Sequence, residues 1–225
     1  MKAMLLAAGR GERMRPLTDH TPKPLLQVGG RTLIDWHLHK LARAGIREVV
    51  INLSWLGDQI RAALRDGEDY GLDILYSQEP SPPLETGGGL LHALSLLGTE
   101  PFLLVNGDVF TDIDFAALTI EPKLLAQLVL VPNPAHHAAG DFLLHAGRID
   151  EQVGESLTYS GIGVLRPELF AGCSPGRFPL LPLLQRARAA GRLGGQKHAG
   201  TWLDVGTPER LAQLNATFAT VRTQP

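Results

Sequence analysis

Short apolar runs alternate with helical patterns from residue 3 to residue 105, and that alternation constrains the fold more than any other feature of the chain. Ala3 to Leu6 reads as a buried strand ended by a glycine-rich turn. Thr32 to Ala44 carries Leu33, Ile34, Trp36, Leu38 and Leu41 at mostly helical spacing, and Gly45 stops it. Glu48 to Leu53 is a β-branched strand, and Leu56 to Leu64 a helix with Ile60, Ala63 and Leu64 on one face. Asp73 to Ser77, Gly88 to Leu97 and Pro101 to Val105 continue the rhythm as strand, helix and strand. Strand-helix alternation of this kind implies βαβ units and a largely parallel sheet.

Beyond residue 120 the rhythm changes. Leu124 to Val131 is apolar enough for a central strand, while Asp141 to His145, Gly147 to Ile149 and Leu157 to Leu165 read as shorter, antiparallel additions. A helix over Leu180 to Ala190, a strand over Leu193 to His198 and a helix over Pro208 to Val221 follow. The expected fold is one α/β domain spanning residues 1–225. Its sheet should be Rossmann-like, mixed but mainly parallel, with helices on both faces.

A formal net charge of −2 argues against a general nucleic-acid binder. The single cysteine, Cys173, excludes an internal disulfide framework, and its loop setting gives no sign of an activated thiol. No stretch reaches the ~20 apolar residues of a membrane span, and the run before Gly9 is too short for a signal peptide, so the default address is the cytoplasm. His37 and His39 do not share a helix face, and His136 and His137 are adjacent, which is poor geometry for joint chelation of zinc. Glycine is in excess, at 25 of 225 residues, against an average near 7%, and that excess calls for a local explanation.

One cluster lies in Leu6-Ala7-Ala8-Gly9-Arg10-Gly11-Glu12-Arg13-Met14-Arg15, where a strand runs into a turn with two glycines one residue apart. Small residues there let backbone N–H groups approach a phosphate closely. Met14 stands where a dinucleotide fingerprint needs its third glycine, and no Walker lysine follows. Arg10, Arg13 and Arg15 suit a triphosphate; the alternative is a solvated basic turn. Soon after, Thr21-Pro22-Lys23-Pro24-Leu25 holds one of only five lysines between two prolines. Prolines restrict its backbone, so its ammonium is either preorganised for charge stabilisation or a plain turn lysine.

Taken together, L-A-A-G-x-G-x-R-x-x-P-L-T and P-K-P, spanning Leu6 to Pro24, resemble the signature of the sugar-phosphate nucleotidyltransferases. The resemblance covers the whole chain and is weakest between residues 132 and 160. It implies a nucleotide-diphospho-sugar transferase type of fold. It also implies nucleotidyl transfer from a nucleoside triphosphate to a sugar-1-phosphate, with UTP and N-acetylmuramic acid 1-phosphate expected in cell-wall sugar recycling. The alternatives are a guanylyl or thymidylyl donor with a hexose-1-phosphate, or a non-catalytic nucleotide- or sugar-binding module of the same fold. Leu6, Ala7, Ala8, Gly9, Gly11 and Arg13 would then bind the nucleotide, with Lys23 and Arg13 catalytic.

Asp108 in Asn106-Gly107-Asp108 and Asp204 in Trp202-Leu203-Asp204-Val205-Gly206-Thr207-Pro208 match the family's two metal aspartates, so Mg²⁺ is the implied cofactor. Read alone, each is a turn or cap residue at least as readily. Gln78 at a strand end and Gly87 beyond it match the base-recognition positions; Gln has the donor and acceptor that uracil or thymine requires. The prolines at 80, 82 and 83 lengthen this connection and weaken the case for base contacts from Glu85 and Thr86. Asn106, Gly140 and Asp141 are sugar candidates. Glu151 matches the glutamate of the family's E-K-P, but Gln152 replaces its lysine, which leaves metal-bound charge or Lys197 as a substitute. No nucleic-acid or membrane partner is implied, and the oligomeric state stays open.

Overall fold

The computed structural model describes residues 1–222. Thirteen strands are β1 (Ala3–Leu6), β2 (Gln27–Val28), β3 (Arg31–Thr32), β4 (Glu48–Leu53), β5 (Asp73–Gln78), β6 (Phe102–Asn106), β7 (Val109–Thr111), β8 (Ala126–Val131), β9 (Phe142–His145), β10 (Arg148–Asp150), β11 (Glu155–Leu165), β12 (Leu193–Lys197) and β13 (Trp202–Asp204). Five α-helices are α1 (Leu33–Arg43), α2 (Gly57–Leu64), α3 (Glu85–Leu97), α4 (Leu181–Ala189) and α5 (Pro208–Arg222). Each long element expected from periodicity is present. The tiny strands β2, β3, β7 and β13 carry too few residues to show a period.

Nine strands form one sheet in the order β5-β4-β1-β6-β11-β8-β12-β10-β9. The pairings make seven of the nine point one way, with β10 and β11 running against them. β9 also pairs with β11, so the last five strands close into a ring. A separate two-stranded ladder joins β7 to β13.

Strand period 2 explains the two-sided core. Ala3, Leu5, Val49, Ile51, Leu103 and Val105 pack on one face with Ile34, Leu38 and Leu41 of α1 and Ile60 and Leu64 of α2. Met4, Val50, Phe102 and Leu104 face the other way, onto Leu90, Ala93 and Leu97 of α3 and Leu183, Leu184 and Ala187 of α4. Each large apolar side chain buried this way contributes about 1.5–3 kcal/mol. Helix α1 begins in a reciprocal cap: the Thr32 hydroxyl accepts from Asp35 N at 3.2 Å, and the Asp35 carboxylate accepts from Thr32 N at 3.0 Å. It ends where Gly45 takes φ +77°.

A third, smaller cluster gathers Met14, Val28, Leu33, Val205, Leu211 and Leu214. It ties the turn after β1 to α5, although the two lie at opposite ends of the chain. His37 on α1 is buried against Phe115, with ring centroids 6.5 Å apart. Among the described residues no helix is long and apolar enough to cross a membrane.

Candidate active site

Strand β1 ends between β4 and β6, with Leu6 level with Asn52 on one side and Asn106 on the other. The chain then leaves the sheet. Ala7 N donates to Asn52 Oδ1 at 2.7 Å, which sets the direction of the turn. Gly11, at φ +63°, swings the chain into a single 3₁₀ turn over Glu12–Met14, a conformation that β-carbon-bearing residues adopt at a cost. The Thr18 hydroxyl donates to Gly11 O at 2.8 Å. Met14, fully buried in the third cluster, pins the turn to the core. The arginines separate here. Arg10 stacks over Trp55, 4.9 Å from the ring centre, whereas Arg15 turns away to Asp19 at 3.2 Å. Arg13 makes no ion pair among the described residues, so its charge is free for a ligand.

Lys23 starts a short 3₁₀ turn between its two prolines, and its side chain is only 11% exposed. Its Nζ reaches Asp108 Oδ2 at 2.7 Å. Asp108 is delivered by a tight turn: Gly107 N donates to Leu6 O at 3.0 Å, and a β-carbon on Gly107 would lie 2.5 Å from that oxygen. Val205 N donates to Asp108 O at 2.9 Å, and the β7–β13 ladder sets Val109 opposite Asp204. Two carboxylates 96 positions apart in sequence are therefore brought together, Asp108 in the turn just before β7 and Asp204 at the end of β13. Asp204 Oδ2 accepts from Arg210 Nη1 at 2.7 Å, and His136 Nε2 stands 3.9 Å away.

These surroundings test the fit of a metal. Both carboxylates are partly exposed, at 37% and 24%, and each is held through Oδ2, leaving Oδ1 for a cation. Oxygen donors suit a hard divalent ion. Among the described residues no group of three or more His, Cys, Asp or Glu side chains could cage one, so substrate oxygens and water would complete its shell. The residues fit Mg²⁺ shared with bound phosphates, and the adjacent His136 does not make a zinc site.

A cavity of about 710 Å³ opens over this floor, a size typical of a small-ligand site. Of the residues singled out in the sequence, Leu6, Ala7, Ala8, Gly9, Gly11, Arg13, Lys23, Asn106 and Asp108 line it, and Asp204 lies beside the lining Gly206. Glu85 and Thr86 also line it, despite the lengthened proline connection. Glu85 pairs with Arg177 at 3.0 Å, and the Thr86 hydroxyl accepts from Leu180 N at 3.0 Å.

Five site candidates, Gln78, Gly87, Gly140, Asp141 and Glu151, are not brought to this cavity. Gln78 is exposed, its amide donating to Leu53 O at 3.3 Å; the next residue, Glu79, is the one turned inward and buried. Gly87 faces Phe178 and Pro179, not an open site: a β-carbon there would lie 2.5 Å from the Phe178 ring. Its missing side chain serves the packing of α3 against residues 177–179. Asp141 spends both oxygens on structure, accepting from Tyr159 N at 2.8 Å and meeting His137 Nε2 at 2.9 Å, and Gly140 packs on Asn133 and Ser156. Glu151 follows β10 and pairs with Arg188 of α4 at 3.0 Å, in a second hollow that shares no lining residue with the first. Lys197 is likewise outside the lining and pairs with Glu155 at 2.6 Å.

Sequence reasoning missed three contributors. Asn52 and Glu79 look like ordinary strand ends, yet both are buried on the cavity wall and hydrogen-bonded at 2.6 Å. Gly161, at φ +78° in a bulge of β11, leaves the room that Asn106 occupies; a β-carbon there would lie 2.5 Å from Asn106 Nδ2.

Comparison with known proteins accords with this geometry. A family model described as nucleotidyl transferase matches residues 2–139. The N-acetylmuramate alpha-1-phosphate uridylyltransferase of Neisseria meningitidis serogroup B is 54% identical over 225 residues, covering 96% of this chain and 97% of that protein. A protein of the same name from Caulobacter vibrioides is 36% identical over 96% of each chain. The solved structure of a Bacillus anthracis protein in complex with a sucrose superimposes with a TM-score of 0.82 at 23% identity, covering 97% of this chain and 95% of that one, a likeness of fold.

Proposed function

The chain belongs to the nucleotidyl transferase family, and from that premise we propose that residues 1–225 act as one domain transferring UMP from UTP to N-acetylmuramic acid 1-phosphate, with Mg²⁺ as cofactor and pyrophosphate as the second product. The observation that carries the reading is Lys23 Nζ on Asp108 Oδ2 at 2.7 Å, on the floor of a cavity walled by the Leu6–Met14 turn.

The acceptor's phosphate oxygen is already an anion, so its attack on the α-phosphorus needs no general base and no covalent enzyme intermediate. One P–O bond forms as the bond to pyrophosphate breaks in line. The protein's contribution is then positioning and charge stabilisation. Lys23 would steady the α-phosphate as it is attacked. Arg13 and the amides of the turn around Gly9 and Gly11 would hold the leaving pyrophosphate as it gathers charge. Asp108 and Asp204 would hold Mg²⁺, whose bound charge neutralises phosphate oxygens. Asn106, at the end of β6, is the remaining candidate for a sugar hydroxyl. The choice of uracil and of N-acetylmuramic acid rests on the names of the two relatives.

A matrix of four nucleoside triphosphates against several sugar-1-phosphates, followed by pyrophosphate release with Mg²⁺, tests the reading. UTP with N-acetylmuramic acid 1-phosphate should give the highest kcat/KM. Faster turnover with GTP or dTTP and a hexose-1-phosphate would replace it.

A further inference from the structure

Glu79 is a carboxylate buried to 4% exposure on the cavity wall, with no cation in ion-pair range among the described residues. Its oxygens are divided between two donors. Oε1 accepts from Asn52 Nδ2 at 2.6 Å, and Oε2 accepts from Leu84 N at 2.8 Å. Asn52 in turn accepts from Ala7 N through Oδ1 at 2.7 Å. Helix α3 makes room for the carboxylate at Gly89, where a β-carbon would lie 2.4 Å from Oε1.

We propose that Glu79 is a positioning residue for the nucleotide, holding the phosphate turn through Asn52 and the proline wall of the cavity through Leu84. This rests on the reading that the cavity takes a nucleoside triphosphate. Both ends of the network are backbone N–H groups, which only donate. A carboxylate only accepts, and an asparagine offers one acceptor and one donor. The order is therefore fixed: Ala7 N–H to Asn52 Oδ1, Asn52 Nδ2–H to Glu79, Leu84 N–H to Glu79. An amide at position 79 presents a donor either to Asn52 or to Leu84, and turning Asn52 over moves the mismatch to Ala7. An acid at position 52 faces the acid at 79. Exchanging the two chemistries together restores every bond, because the new acid accepts from Ala7 and from the new amide, whose oxygen accepts from Leu84.

The test compares wild type, E79Q, N52D and N52D/E79Q, each with Mg²⁺, by UTP calorimetry, steady-state kinetics and thermal midpoint. Each single variant should raise KM for UTP by about tenfold or more, the cost of one unsatisfied buried donor or acceptor, with KM for the sugar phosphate within about twofold. The exchange should return UTP affinity toward wild type, a coupling that independent sites do not show. Singles with unchanged UTP affinity, or a lowered midpoint without a change in KM, overturn the proposal. So does an exchange that loses as much as the two singles combined. If a single variant does not fold, the exchange decides: folded with near wild-type affinity supports the proposal, and unfolded or weakly binding overturns it. Wild type that binds no UTP overturns the nucleotide reading itself, and this inference with it.

Discussion

Lys23 Nζ and Asp108 Oδ2 meet at 2.7 Å across 85 positions of sequence, and each side is held independently of the other. Pro22 and Pro24 restrict the backbone that carries the ammonium. Leu6 O, accepting from Gly107 N, fixes the turn that carries the carboxylate. The pair is therefore ready before any substrate arrives, which is what electrostatic catalysis requires of a charge.

Lys23→Met keeps the length of the side chain and removes the charge. Its kcat should fall by about 10²–10³, the range typical for loss of one charge-stabilising group. The fold should persist, because Asp108 is partly exposed and water can take the place of the ammonium. Circular dichroism and pyrophosphate release measure the two halves of this expectation. A kcat within tenfold of wild type would remove Lys23 from the chemistry.

Asp204 lies opposite Val109 and reaches the site only because β13 pairs with β7. Asp204→Asn should raise the half-saturating Mg²⁺ concentration by at least the roughly 10–100-fold that loss of a supporting partner costs a metal site. Activity followed over a Mg²⁺ titration, with direct Mn²⁺ binding as a second readout, checks it. An unchanged metal requirement would take Asp204 out of the donor set.

How much of this was legible follows the physics of each signal. The long strands and helices announced themselves through period, and the turn after β1 and the Pro-Lys-Pro segment through residue type. The nearness of Asp108 and Asp204 depends on two three-residue strands, which carry no period to read. Gln78 was carried over from the family's base-recognition position, where an amide suits a base edge. In a strand, however, neighbours face opposite ways, and here Gln78 is exposed while Glu79 lines the cavity. Glu151 was carried over from a motif whose lysine is absent, and the chain routes that segment to the far hollow beside Arg188. The glycine excess divides as well: Gly107 and Gly161 make room at the cavity, whereas Gly87 makes room for Phe178.

Glu151→Ala gives that correction a kinetic form. Its carboxylate is exposed and, among the described residues, forms an ion pair with Arg188 alone, so the variant should keep KM for the sugar phosphate within about twofold of wild type and lose at most about 1 kcal/mol of stability. Asn106→Ala, at the cavity, should raise that KM severalfold in the same assay. Equal effects from the two would restore Glu151 to the sugar site.

Gly107→Ala tests the close approach beneath Asp108. The added β-carbon would stand 2.5 Å from Leu6 O, a backbone atom that cannot rotate aside. The strand end must shift, at a cost of about 1–3 kcal/mol, and Asp108 should move with it. The expected result is a lowered thermal midpoint together with reduced kcat. A variant as stable and as active as wild type would show that the turn has slack the geometry does not reveal.

His37 should make stability depend on pH. Burial pushes its imidazole down from 6.5 to about 4; the Val109 backbone offsets only part of this, and neither ring nitrogen makes a well-formed hydrogen bond. The unfolded chain takes up a proton below pH 6.5, whereas the folded chain resists until about pH 4. Between those values the unfolded state binds more protons, so stability falls as pH falls. The contribution is complete above pH 6.5 and lost toward pH 4, on the order of 3 kcal/mol across the window. His37→Leu keeps a side chain of similar bulk and has nothing to titrate. Urea midpoints at pH 7.5 and pH 5 should therefore lie closer together in the variant than in wild type. The same displacement in both proteins would place the acid sensitivity elsewhere.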